Sequence, residues 1–120
     1  MTNTITLNDV VETYLASWNE TDADRRRELV SATFTEDGRY LDPLMAGTGV
    51  EEITAMIGAA QAQFPGHHFE LAFGPDAHND VARFAWSLVG PGGTVAKGID
   101  FATVAEDGRL RNVTGFLETV

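Results

Sequence analysis

Apolar residues recur every three or four positions through much of the first half of the chain, which is the spacing of one helix face. This spacing predicts three helices, at about residues 7–19, 22–32 and 50–64. Thr6 with Asp9, and Thr48 with Glu51, have the spacing of a hydroxyl residue and an acid that together cap a helix N-terminus. The run Arg25–Arg27 interrupts the apolar pattern of the second helix, so we expect it to form a solvated face.

Apolar and polar residues alternate in the second half, which is typical of strands with one buried face. The alternation predicts four strands, at about residues 68–73, 81–89, 94–104 and 110–117, with a short strand at 39–42 ahead of them. Gly90–Gly93 and Asp107-Gly108 are turn sequences, so the last three strands should form an antiparallel meander. On the strand at 81–89 the bulkier residues should face inward: Ala82, Phe84, Trp86 and Leu88.

Helices followed by strands predict an α+β fold. A sheet this small has one apolar face to bury, and three helices are available to cover it. We therefore expect one domain over residues 1–120, in which three N-terminal helices pack on a curved, mainly antiparallel sheet and leave a pocket between the layers. The strands at 81–89 and 94–104 should be central.

The composition narrows the function classes. The 120 residues include no cysteine and carry a formal net charge of −10, a field that repels nucleic acids and anionic membrane surfaces. No apolar run approaches the roughly 20 residues that span a bilayer. Met1–Asp9 lacks the basic and apolar segments of a secretory signal. We therefore expect a cytoplasmic protein whose partners include neither nucleic acid nor membrane.

The sequence carries no motif for a metal or a cofactor. His67 and His68 are adjacent and would point to opposite faces of a strand, while His78 lies in a turn. No pair of histidines has ligand spacing, and no phosphate-binding or dinucleotide-binding loop is present. We therefore expect neither a metal nor a cofactor.

Three polar residues, each next to apolar segments or a turn, are candidates for a functional site. Asp100 sits in the middle of an apolar strand, and it faces either the pocket or the outer face, where Lys97 and Arg83 could pair with it. Asp42 precedes a proline, either as a turn residue that accepts from nearby amides or as a base at the pocket rim. Tyr14 lies in the apolar stripe of the first helix, as a core residue or as a hydrogen-bond donor.

Four short segments carry a resemblance to known families: Tyr14–Asn19, Phe34–Pro43, Gly47–Gly49 and Gly98–Phe101. Together with the order of elements, they resemble the superfamily of ketosteroid isomerase-like, SnoaL-like and nuclear transport factor 2-like proteins. The resemblance implies the cone-shaped, cystatin-like fold of that superfamily, whose members often form homodimers. It does not imply one function, because the fold hosts enzymes and non-enzymes alike.

Within this superfamily, the chain resembles ketosteroid isomerase at the catalytic positions. That family uses an aspartate before a proline as general base, with a first-helix tyrosine and a late-strand aspartic acid as oxyanion hole. The resemblance gives these roles to Asp42, Tyr14 and Asp100 respectively. SnoaL-type polyketide cyclases instead pair the late-strand aspartate with a histidine on the neighbouring strand, and the strand at 81–89 contains no histidine.

Two functions stay open at this point. One is cofactor-free proton transfer on a small apolar carbonyl compound, by an isomerase or a polyketide cyclase. The other is a non-catalytic module of the same fold that binds a hydrophobic ligand or dimerises. The side chains expected to contact the ligand are Trp18, Tyr40, Met56, Ile57, Phe64, His68, Phe84, Trp86 and Phe116.

Two physical expectations accompany these functions. Asp100 should be partly or wholly protonated near neutral pH, because apolar neighbours disfavour its carboxylate, while Asp42 stays ionised. Ile99 and Phe101 should lie on the outer face of the sheet, where exposed apolar groups favour burial in a homodimer.

Overall fold

The computed structural model describes residues 5–118. The predicted domain of residues 1–120 extends beyond this range at both ends, and the start of the Met1–Asp9 segment also lies outside it. Three helices form close to the predicted positions: α1 Leu7–Asn19, α2 Ala23–Thr33 and α3 Gly49–Gln63. No helix in the described range is long and apolar enough to cross a membrane.

The helix starts follow the predicted capping only in part. The Thr6 hydroxyl accepts the Asp9 amide at 3.2 Å, as its spacing predicts. Thr48 occupies the N-cap of α3, but its side chain makes no capping bond. The Thr48 amide instead donates to the Glu52 carboxylate at 2.9 Å. The predicted pairing with Glu51 is wrong because that carboxylate forms an ion pair with Arg27 of α2.

One arginine of α2 is buried, contrary to the prediction that Arg25–Arg27 forms a solvated face. Arg26 is only 7% exposed. Its guanidinium donates to the carbonyl oxygens of Glu20 and Thr21, which follow α1, and to the Gln61 side chain of α3. The carbonyls past the end of α1 need donors, and Arg26 supplies them. Arg26 and Gln61 thereby connect all three helices.

The sheet has six strands: β1 Phe34–Leu41, β2 Ala46–Thr48, β3 His68–His78, β4 Val81–Gly90, β5 Gly93–Val104 and β6 Leu110–Glu118. Their order is β2-β1-β6-β5-β4-β3. Strands β3 to β6 form the predicted antiparallel meander. Strand β6 then pairs in parallel with β1, which makes the sheet mixed.

The parallel pairing changes which strands are central. The prediction that the strands at 81–89 and 94–104 are central is wrong for the first of these, since β5 and β6 occupy the middle. The reason is that β1 and β2 add two strands beyond β6. The predicted strand at 39–42 also begins earlier, at Phe34, and β2 was not predicted.

The core lies between the helices and the inner face of the sheet. Ala82, Phe84 and Leu88 of β4 are buried there, as their alternation predicts. The opposite, outer face exposes large apolar groups, including Phe101 at 44% and Phe116 at 54%. The three helices thus cover one face of the sheet only.

Candidate active site

A cavity of about 120 Å³ opens between the helices and the inner face of the sheet. Its wall is mostly apolar, with contributions from Leu15, Trp18, Phe64, Phe69, Trp86 and Leu88. Four polar side chains interrupt this wall: Tyr14, Tyr40, Asp42 and Asp100. A concave, largely apolar cavity with a few convergent polar groups is the usual form of a small-molecule site.

Asp100 lies deep in this cavity, in the middle of β5. It is 1% exposed. Its carboxyl accepts the Tyr14 hydroxyl at 2.9 Å and the Trp86 indole N–H at 3.3 Å. The alternative outward position is excluded, and Arg83 pairs with Asp76. The helix tyrosine and the late-strand aspartate therefore meet directly.

Burial controls the protonation of this pair. Loss of hydration raises the pKa of Asp100 to about 6, although the hydrogen bonds from Tyr14 and Trp86 oppose the shift, and the nearby Asp42 charge adds to it. Burial also raises the pKa of the Tyr14 hydroxyl well above its usual value, with the Asp100 charge as the next cause. Asp100 therefore titrates close to neutral pH while Tyr14 keeps its proton.

Asp42 lies at the rim, just after β1 ends at Leu41. One carboxyl oxygen accepts the amides of Leu44 and Met45 at 2.8 and 2.9 Å. The other accepts the Tyr40 hydroxyl at 2.5 Å. Asp42 is thus a turn residue and a cavity residue at once, so the two sequence interpretations describe the same geometry.

Tyr40 has a second contact that sequence reasoning missed. It lines the cavity, as expected of a ligand-binding residue, but its hydroxyl is engaged by Asp42. The signal was present in the spacing, because residues two apart on a strand share a face. Trp18 packs on the Tyr40 ring at a centroid distance of 5.4 Å and fixes it from the α1 side.

The other predicted ligand contacts divide into two groups. Trp18, Phe64 and Trp86 line the cavity. The remaining five do not: Met56, Ile57, Phe84, His68 and Phe116. The first three fill the core behind the cavity wall.

His68 and Phe116 were expected at the cavity and lie elsewhere for local reasons. His68 is exposed and pairs with Glu70 at 2.6 Å. Phe116 points to the outer face, because alternation on β6 gives the inner positions to Gly115 and Leu117. The cavity instead gains wall residues from the segment after β1 and from β3, namely Leu44, Met45 and Phe69.

Metal ligands do not cluster in the described part of the chain: within residues 5–118, no group of three or more His, Asp or Glu side chains could hold an ion. The polar groups of the cavity include two carboxyl groups, two phenols and the indole N–H of Trp86.

The fold and this cavity define a SnoaL-like domain. The family model for that domain matches residues 11–113, and the chain belongs to this family. No curated protein matches the chain. The predicted superfamily is confirmed by this match and by the solved structures it resembles.

Three solved structures illustrate the likeness. A candidate isomerase of the SnoaL-like family from Agrobacterium tumefaciens is 49% identical, with a TM-score of 0.86 over 92% of this chain and 95% of that one. A candidate polyketide cyclase from Sinorhizobium meliloti is 22% identical, with a TM-score of 0.69 over 92% and 99%. A nuclear transport factor 2-like protein of unknown function from Mesorhizobium loti is 15% identical, with a TM-score of 0.69 over 94% and 91%. The last two show the fold alone.

Proposed function

We propose that this protein catalyses proton transfer on a small apolar carbonyl compound without a cofactor. One observation carries the proposal: two carboxyl groups in different environments, Asp42 and Asp100, line the same apolar cavity together with the Tyr14 hydroxyl. Pairs of carboxyl groups whose environments separate their protonation are typical of acid–base sites.

The hydrogen-bond pattern supports distinct roles for the two carboxyl groups. Asp42 accepts three hydrogen bonds, and only the ionised form offers both oxygens freely as acceptors. Asp100 is more deeply buried, and its raised pKa means that it holds a proton more readily. A single proton shared by the site therefore belongs on Asp100, with Asp42 as the base.

The reaction follows from these roles. The Asp42 carboxylate removes a proton from the carbon next to the substrate carbonyl, and the electron pair of that C–H bond forms an enolate. When the substrate is bound, the Tyr14 hydroxyl turns from Asp100 to the enolate oxygen, and protonated Asp100 donates a second hydrogen bond to that oxygen. Asp42 then returns the proton to another carbon, which isomerises the substrate. Alternatively, the enolate carbon attacks a second carbonyl of the same molecule and closes a ring, and the oxygen of the attacked carbonyl takes the proton from Asp42.

The family relationship favours an enzyme of this kind. The Agrobacterium relative, described as a candidate isomerase, is 49% identical. The rings of Trp18, Phe69 and Trp86 pack edge to face at centroid distances of 5.3 Å. The aromatic wall that they form suits a flat hydrophobic substrate.

The first step can be tested without knowing which product forms. The protein is incubated in D₂O with β,γ-unsaturated ketones and polyketide-like esters. Exchange of the hydrogens next to the carbonyl for deuterium is then measured by NMR. We expect exchange with the wild type, none above background with Asp42→Asn, and partial exchange with Asp100→Asn. A wild-type protein that binds these compounds but neither exchanges their hydrogens nor converts them to an isomer or a cyclic product would overturn the proposal.

A non-catalytic ligand-binding module is the second candidate. It is favoured by the fact that both carboxyl groups are already engaged by donors of the protein itself. In that case, Asp42→Asn and Asp100→Asn would alter the affinity for apolar ligands, and no variant would catalyse exchange.

A further inference from the structure

Two glycines occupy the middle of the two central strands, Gly98 on β5 and Gly115 on β6. Both are buried. Neither has the left-handed backbone that favours glycine. A glycine inside a strand lowers stability and leaves nothing to pack, so its use there commonly marks a close approach of other groups. The groups that lie close to the backbone at Gly98 and Gly115 explain why glycine is found at both positions.

The space beside Gly98 is filled by an indole ring. Trp86 of β4 lies directly opposite Gly98 in the sheet. A side chain at Gly98 would overlap the Cζ2 atom of that ring and come within 2.9 Å of the Phe116 carbonyl oxygen. The bare backbone therefore lets the indole lie across β5, where its N–H donates to Asp100 at 3.3 Å.

The space beside Gly115 is filled by the Asp100 carboxyl. The two residues are directly opposite each other in the sheet. A Cβ atom at Gly115 would lie 2.8 Å from Asp100 Oδ1, 3.3 Å from Asp42 Cβ and 3.3 Å from Tyr40 Oη. The bare backbone therefore lets groups from β5 and β1 approach each other across β6.

We propose that Gly98 and Gly115 are positioning residues for the Asp100 carboxyl. Each acts by leaving free the space that a side chain would fill. Gly98 admits the indole that donates to Asp100 Oδ1, and Gly115 admits that same oxygen beside Asp42. The consequence for turnover rests on the proposed function, but the geometric consequence does not.

The groups that face Asp100 come from three elements. Tyr14 reaches it from α1, Trp86 from β4, and Tyr40 from β1 together with Asp42 just after that strand. Replacing either glycine with alanine changes none of these four side chains. A change in the titration of Asp100 would therefore report a change of position.

Gly98→Ala gives the first measurement. The added methyl group should displace the Trp86 ring and remove its N–H from Asp100. Because that hydrogen bond favours the carboxylate, we expect the Asp100 titration, followed by carboxyl ¹³C NMR, to move upward by about one pH unit. Gly92→Ala is the matched control, since nothing lies within 4 Å of a Cβ there and its backbone is not left-handed.

A double-mutant cycle provides a second readout that needs no activity. The shorter ring of Trp86→Phe lacks the colliding atom, so Gly98→Ala should destabilise the wild type more than it destabilises the Trp86→Phe background, measured by urea unfolding. An equal loss of stability in both backgrounds would overturn the role of Gly98.

Gly115→Ala tests the other half of the proposal. The added methyl should push the two carboxyl groups apart, and we expect kcat to fall with little change in KM, together with a shifted Asp100 titration. A wild-type titration in this variant would overturn the role of Gly115. If the wild type proves inactive but both titrations shift, the proposed function fails and the positioning roles stand.

Discussion

On the central strands β5 and β6, the buried inner face carries a charged residue type, and the exposed outer face carries large apolar residues. On the inner face, β5 carries Asp100, which lines the cavity, and β5 and β6 each carry a glycine whose neighbouring space is filled by Trp86 or by the Asp100 carboxyl. On the outer face, the same strands present Phe101 and Phe116 to solvent, with their rings packed edge to face at 5.8 Å. A buried carboxyl lowers stability unless it is hydrogen-bonded, and clustered exposed aromatic rings commonly mark a contact surface.

The comparison teaches where to look for function in a small α+β domain. Asp100 is tolerated inside because Tyr14 and Trp86 donate to it, yet its pKa still rises to about 6. That shift corresponds to a free-energy cost on the order of 3 kcal/mol for the ionised form. A group that the fold keeps at such a cost is a strong candidate for chemistry, whereas an exposed apolar pair is a candidate for contact with another molecule.

The largest expected effect comes from removing the base at the cavity rim. Asp42→Asn should reduce kcat by about 10³- to 10⁴-fold, because an amide cannot accept the substrate proton. Steady-state kinetics on a substrate identified by D₂O exchange would measure the loss. Asp80→Asn, at the exposed turn after β3, is the matched control and should be neutral. Full activity in Asp42→Asn would instead make Asp100 the candidate base.

Loss of the hydroxyl donor on α1 should have the next largest effect. Tyr14→Phe removes one hydrogen bond to the enolate oxygen and should lower kcat by roughly 10²- to 10³-fold. It should also raise the pKa of Asp100 further, since the Tyr14 hydroxyl favours the carboxylate. An unchanged kcat would show that the carbonyl oxygen binds elsewhere in the cavity.

The buried carboxyl should also be visible in the pH dependence of stability. Because folding raises the pKa of Asp100 from 3.8 to about 6, its protonated form stabilises the fold below pH 4, and that contribution is lost as the pH rises through 6. The loss is on the order of 3 kcal/mol, or about 10²-fold in the folding equilibrium. Urea unfolding from pH 4 to 7 should show a flatter profile for Asp100→Asn, and identical profiles would contradict the burial argument.

The outer face yields the smallest expected effect. We propose that Phe101 and Phe116 are buried in a homodimer formed through this face. Phe101→Ser should then weaken self-association by roughly 10-fold. Light scattering at micromolar concentration would measure it, with Val95→Ser near the strand end as a milder comparison. A monomeric wild type would contradict the proposal.

The sequence predicted elements well where one pattern decided them. Helix α1 matches its predicted bounds because an amphipathic stripe and a Thr6 cap agree. Strand β2 was missed, since Ala46–Thr48 has no alternation to read. The burial of Arg26 could not be predicted, because its acceptors lie on other elements and depend on helix packing.

The site was less accessible to sequence reasoning than the fold. The grouping of Tyr14, Asp42 and Asp100 came from resemblance, since no spacing brings such distant residues together. The sequence also does not show how deep a residue lies in the core. Ile57 and Phe84 were predicted to contact the ligand, but they lie in the core behind the cavity wall. Periodicity gives the face of an element and leaves undetermined which of its residues border a cavity.

The parallel pairing of β1 with β6 has a consequence for the order of assembly. Tyr14 and Asp100 are 86 positions apart, and the Asp42 rim is brought beside them across β6. Closing a contact between distant parts of a chain is entropically costly and slow. During synthesis, the cavity therefore stays incomplete until β6 has docked between β1 and β5. A ligand of this cavity would bind only the finished fold, and its binding would trap molecules that have completed folding.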